Sequence, residues 1–302
     1  RNDGFIGAGE TTNGNLTIGF NSRWNATASG NTYLGVNVGG TTTFSNNTGV
    51  GRNALSVNTG SSNTAVGSSA LASNTSGIEN VAVGLLAMGF TTTGFENTAV
   101  GRSAAQNLLT GNYNVAVGIY ALEGVTSGAA VGNVAVGYQA LKNINGASHN
   151  TAIGSNALVT VSSGALNTAF GRQSGVSLTT GSENTLIGAH AGQTLTTASG
   201  NVMLGYEAGY YETGSNILFI DNINRSSEAN ARLRALLYGN FASLPENQRL
   251  TVNAPIRSHN FTATEGSAIS ALDGDMIYVT STNGTFTAVG FWGYENGAWV
   301  KL

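Results

Sequence analysis

Four aromatic residues, Phe291, Trp292, Tyr294 and Trp299, fall within nine positions near the end of the sequence. Asp275, Asn283 and Glu295 stand nearby and can exchange hydrogen bonds with a ligand. Flat apolar rings beside a few polar groups suit saccharide recognition: rings cover the C–H faces of a sugar, and carboxylates and amides take its hydroxyls. The same rings can instead form a small aromatic core that holds chains together, because large aromatics dominate cores. Both readings stay open at this point.

Catalytic groupings are sparse. Glycan cleavage needs two carboxylates facing each other across a cleft. Glu79, Glu96 and Glu183 share one repeat position and read as a stacked surface row. His149, His190 and His259 are isolated and not at metal-ligand spacing. Aspartate occurs only at Asp3, Asp221, Asp273 and Asp275, so the periodic aspartate of a calcium-binding roll is missing. The absence of cysteine excludes disulfides, thiolate metal sites and cysteine nucleophiles. The glycine-rich segments carry no Lys-Ser/Thr for a phosphate. The runs Thr41–Thr43 and Thr91–Thr93 do not recur in each copy and read as turn filler, not as an ice-binding face. We expect no enzyme activity, catalytic residue, metal or cofactor. A formal charge of −3 gives no electrostatic reason to bind nucleic acid or an acidic membrane.

What positions these residues is a repeat. Asn15, Asn31, Asn47, Asn63, Asn80, Asn97, Asn114, Asn133, Asn150, Asn167, Asn184 and Asn201 open successive copies at intervals of 16 or 17 residues, with one of 19. A looser copy starts at Asn216. A fixed short period is the signature of a solenoid whose units bury their apolar side against their neighbours. Within Asn63-Thr64-Ala65-Val66-Gly67, strand alternation puts Thr64 and Val66 on one face and Asn63 and Ala65 on the other. Both faces are apolar or small, and a coil this short hides only one of them. Another surface must cover the second, so Glu at Ala116 and Ala135 is expected to break the assembly or the fold. Gly67 and its equivalents mark a corner. A second short strand ending in Ala-Leu is expected after it, as at Ala70-Leu71, changing to Ser174-Gly175, Ala191-Gly192 and Ala208-Gly209 in later copies. The asparagines read as a ladder or as Asx turns; the rival reading is a row of ligand-binding amides. Coils stacked at ~4.8 Å make a rod of roughly 60 Å.

Residues 1–14 read as a lead-in coil, and 15–62 as degenerate, capping copies containing Trp24 and Tyr33. The division expected is a shaft over 1–215, a connector over 216–254 and a tip over 255–302. In the connector, 233–238 reads as the end of a helix starting near Ser226, or as a strand. In the tip, Met276–Val279, Phe286–Val289 and Ala298–Val300 read as antiparallel strands, with turns at Asn283-Gly284 and Asn296-Gly297. No apolar stretch is long enough to span a bilayer. The chain opens at Arg1 without a signal peptide and reads as the C-terminal piece of something longer.

The Asn-Thr-Ala-Val-Gly…Ala-Leu copies resemble the YadA-like head of trimeric autotransporter adhesins, whose repeats also occur in phage tail fibres. The stretches 274–279 and 290–302, together with Leu237–Phe241 and Leu250–Asn253, are similar to the C-terminal ends of tail-fibre-like proteins. The mostly 17-residue period is longer than the family's commonest one, and the membrane-anchoring barrel of a complete autotransporter is missing. The resemblance implies an all-β chain: a trimeric, left-handed parallel β-roll (solenoid) shaft followed by a small antiparallel tip. It also implies a homotrimer outside the cell, on a virion tail or a bacterial surface, joined to an upstream fibre or baseplate segment. Such a fibre recognises a host or prey cell-surface glycan or protein. The alternatives are a purely structural spacer and a polysaccharide depolymerase.

Overall fold

Each copy contributes one three-residue strand, from β1 (Leu16–Ile18) to β12 (Val202–Leu204), in a computed structural model that describes residues 13–22, 27–40, 43–124, 129–253, 276–279, 290–295 and 298–301. Neighbouring strands pair in parallel with like residues opposite, as in Ala65↔Ala82 and Ala82↔Ala99. The result is a parallel β-solenoid. No proline interrupts it, so each coil can donate its backbone N–H groups to the next. The central residue of the strand faces the interior: Ala65, Ala82, Ala99, Ala116, Ala135, Ala152 and Ala169 are fully buried. Ala116 and Ala135 therefore pack inside their own coil. A glutamate at either tests the folding of the roll and does not touch an outer contact.

The expected second strand is absent. Leu55, Leu71, Leu122, Leu141 and Leu158 have φ of 48–54°, a left-handed conformation that no extended strand contains. The Ala70 N–H donates to the Gly67 carbonyl at 3.3 Å and closes a turn, and the Leu55 N–H donates to Ala70 in the next coil at 3.1 Å. The turns thus stack in register as the strands do. A left-handed residue costs about 1–2 kcal/mol. Each of these leucines is fully buried, and burying a leucine contributes about 1.5–3 kcal/mol, so burial outweighs backbone strain.

The corner glycines hold φ of 130–140° from Gly67 to Gly188. A Cβ on Gly101 would lie 2.6 Å from the Gly118 carbonyl oxygen. Both the angle and the close stacking of corners require glycine. In the last coils the interior is refilled in another way. Gly175, Gly192 and Gly209 replace the turn leucine, and Leu186, Met203 and Phe219 replace the strand alanine. A Cβ on Gly192 would sit 2.9 Å from Leu186, so the larger strand residue takes the space the turn residue gave up. At the other end Tyr33 is buried at the alanine position, and Gly49 in the next coil leaves room for its ring.

The looser copy is one residue out of the spacing expected. In the register Val202↔Leu218, the asparagine position falls to Ile217, whose N–H donates to the Asn201 side chain at 2.9 Å. Asn216 occupies the preceding left-handed position, with φ of 60°. β13 (Ile217–Ile220) is the last parallel strand, and β14 (Leu237–Asn240) and β15 (Arg249–Val252) continue the same sheet antiparallel. Between β13 and β14 lies α1 (Glu228–Arg234), capped by the Ser227 hydroxyl, which accepts from the Asn230 N–H. The stretch 233–238 is thus helix end and strand start in turn. Ala231 and Ala235 join Phe219 in the core.

Residues 254–302 form a second unit. Its described strands are β16 (Met276–Val279), β17 (Gly290–Glu295) and β18 (Ala298–Lys301), paired antiparallel. The middle strand is Gly290–Glu295; the strand expected over Phe286–Val289 lies outside the described residues. The pairing Glu295↔Ala298 leaves two residues, 296 and 297, for the connection.

Candidate functional site: an apolar ribbon and an aromatic strand pair

In β1 to β12 the first and third residues of each strand face outward. In the third column stand Ile18, Leu34, Val50, Val66, Val83, Val100, Val117, Val136, Ile153, Phe170, Ile187 and Leu204, and in the first stand Leu16 and then threonines and valines. None of these positions from β1 to β12 carries a charge or an amide. Val100 and Val117 are 37% exposed, Leu204 42% and Phe170 55%. Scattered exposed apolar residues are ordinary; an unbroken row is a mark of an interaction surface. At its far end the ribbon runs into an apolar hollow lined by Leu204, Ile220, Ile223 and Leu236.

The asparagines do not offer amides to a ligand. They are buried, and from Asn31 to Asn201 each is bonded to the coils before and after it. Asn114 Nδ2 donates to Asn97 Oδ1 at 3.0 Å, to Asn112 O at 2.9 Å and to Ala130 O at 2.8 Å. Its Oδ1 accepts from the backbone N–H and Nδ2 of Asn133, at 2.9 and 3.1 Å. This is the ladder expected. Glu79, Glu96 and Glu183 are exposed at the left-handed position just before it, with φ of 55–60°. His149 shares that position, whereas His190 lies at a corner. His259 is outside the described residues.

An ionic site that the spacing did not reveal closes the roll. Glu212 is fully buried. Arg232 on α1 holds it with both arms, Nε to Oε2 at 3.0 Å and Nη2 to Oε1 at 2.7 Å, and also pairs with Glu228. The Gly214 and Thr213 N–H groups donate to the same carboxylate. Burial pushes the Glu212 pKa up, but the hydrogen bonds and the Arg232 charge outweigh it and leave the carboxyl below its usual range. Because the folded pKa is depressed, the stabilisation is complete above the unfolded value of about 4.3 and is lost as pH falls through the folded one. Thermal melts from pH 6 down to pH 3 are expected to lose stability in this window, and Glu212→Gln to flatten the dependence while lowering stability at pH 6. An unchanged slope in the variant would remove Glu212 from this role.

The tip residues fall on paired strands. Register sets Tyr294 opposite Trp299 and Trp292 opposite both Ile277 and Lys301. Asp275 and Asn283 lie outside the described residues. Among the described residues no helix is long and apolar enough to cross a membrane. No family model, curated protein or solved structure matches the chain.

Proposed function

We propose that the chain is a non-enzymatic fibre segment in which three copies, each a left-handed roll, assemble along their strand faces and carry a tip that recognises a cell-surface glycan. The observation that supports it is the uncharged ribbon along the roll: a repeat that keeps every outward strand position apolar or Thr is suited to a like surface from another copy. Such a fibre works outside the cell, on a virion tail or a bacterial surface, and joins an upstream segment. Recognition by the tip is supported by the clustering of Trp292, Tyr294 and Trp299 on paired strands, and sites repeated in three copies gain avidity. Trp292→Ala or Tyr294→Ala is expected to lower attachment to host cells at least ~10-fold, with the mass in solution unchanged. Equal attachment by a chain ending at Asn253 would move recognition off the tip.

A further inference from the structure

One corner of the roll twice brings an arginine together with aromatic rings at equivalent repeat positions. In the first, the Arg102 guanidinium lies over the Tyr120 ring at 4.7 Å and Lys142 Nζ approaches the same ring at 5.2 Å. Tyr138 meets Tyr120 edge-on at 6.5 Å between centroids, and Lys142 pairs with Glu123 at 3.6 Å. In the second, Arg172 Nη2 donates to His190 Nε2 at 2.6 Å and its Nη1 to Gln173 Oε1 at 3.0 Å, and the His190 Nδ1 side bonds Gln193. Gln193 Nε2 donates to the Tyr210 hydroxyl at 2.9 Å. Tyr206 meets His190 edge-on and Tyr210 lies beside it, both with centroids at 6.3 Å.

The two clusters occupy identical repeat positions. Arg102 and Arg172 directly follow the corner glycines Gly101 and Gly171. One coil on, Tyr120 and His190 stand two residues past the corner, and Glu123 and Gln193 five. A further coil on, Tyr138 and Tyr206 directly follow the corner, and Lys142 and Tyr210 stand five past it. The coil between the clusters holds Ser155, Asn156 and Val159 at these places and continues neither. Four coils at ~4.8 Å set the clusters ~19 Å apart on one edge. The strand ribbon has no charged position, so this corner, with Arg102, Lys142 and Arg172 beside Glu123 and Glu207, is chemically distinct from it.

We propose that this corner is a two-station binding site for a linear acidic polysaccharide. Each station offers a half-exposed tyrosine, Tyr138 or Tyr206, both 48% exposed, for the apolar face of a sugar ring. Each has an exposed arginine two coils away, with Tyr120 or His190 between them. The Arg102 guanidinium stacks on Tyr120 without a hydrogen bond to a described residue, which leaves its fork of N–H donors for a carboxylate. Two stations at equivalent positions on one edge suit a ligand that repeats, and one polymer spanning both gains avidity. The site is on the roll and does not depend on the tip.

The test uses the full chain with immobilised polygalacturonate, and with dextran and a single-stranded oligodeoxythymidylate as competitors. Tyr138→Ala or Tyr206→Ala is expected to weaken polygalacturonate binding at least ~10-fold, and the pair to abolish it, because losing one of two linked stations forfeits the avidity. Tyr138→Phe and Tyr206→Phe are expected to retain binding, and none of the four to change the melting temperature by more than ~2 °C, as the rings are half-exposed. The proposal is overturned if the wild-type chain does not bind, if the double variant binds within twofold of wild type, or if dextran or the oligonucleotide competes as well as free polygalacturonate. Retention of binding by Trp292→Ala supports the corner site. Loss of binding in that variant assigns the polymer to the tip, and then the corner proposal fails while the fibre reading stands.

Discussion

Asn114→Asp is expected to be among the most damaging single-atom-type changes this chain can suffer. The substitution keeps size and shape and exchanges one NH2 for an oxygen. In the native coil that NH2 faces three acceptors, Asn97 Oδ1, Asn112 O and Ala130 O, all within 3.0 Å. A carboxylate would set a buried negative charge against them. Leaving buried polar groups unpaired costs about 1–3 kcal/mol each, and an uncompensated buried charge raises the total to about 3–5 kcal/mol or more. Aspartate can still accept from Asn133, so the loss isolates the donor half of the ladder. Asn114 lies near the middle of the array, and in a solenoid each coil contacts only its neighbours. Thermal unfolding of Asn114→Asp is therefore expected to start well below that of wild type and to split into separate transitions for the coils on either side. A single transition within ~2 °C of wild type would mean that the ladder contributes little.

The ladder was legible in the sequence because its cause is local: an amide that both donates and accepts must recur once per coil, in front of every strand. The parallel strands were legible for the same reason, through the Ala and Val columns. The turn leucines were not. Ala70-Leu71 alternates like a strand end, and nothing in the two letters says that Leu71 has φ of 48°. The strain is held by burial against neighbouring coils, which a single copy does not display. The end of the ladder was hidden by the presence of an asparagine one place too early: Asn216 satisfies the pattern by type, but pairing places Ile217 in the column. Glu212 and Arg232 were hidden because the partners lie 20 residues apart in a region without repeat spacing. The corner clusters assemble from three coils each, and so they are visible only when equivalent positions are stacked. The tip aromatics were legible as a group, but the pairing of Tyr294 with Trp299 follows from strand register alone.

Charging the ribbon is expected to take the assembly apart without unfolding the chain. The sequence pattern put the uncovered face in doubt between the alanine and valine columns, and the coil geometry decides it: alanines inside, valines outside. Val100 and Val117 are adjacent in the ribbon, paired in register, and each 37% exposed. Lysines there can reach water from an isolated roll, so the cost to a single chain is small, within about 0.5 kcal/mol per site for an exposed position. Against a second copy the same ammonium groups would be buried in an apolar contact with no partner, where an unpaired charge costs several kcal/mol. Symmetry repeats that penalty at every copy of the interface. Light scattering at micromolar concentration is expected to give the mass of three chains for wild type and of one chain for Val100→Lys/Val117→Lys, with the same far-UV circular dichroism. Val100→Thr/Val117→Thr is the control: it keeps the strand and, with Thr already frequent in the neighbouring column, should keep the three-chain mass. A wild-type monomer, or a lysine variant that assembles as wild type does, would refute self-association through this face, and the ribbon would then need another partner to cover it.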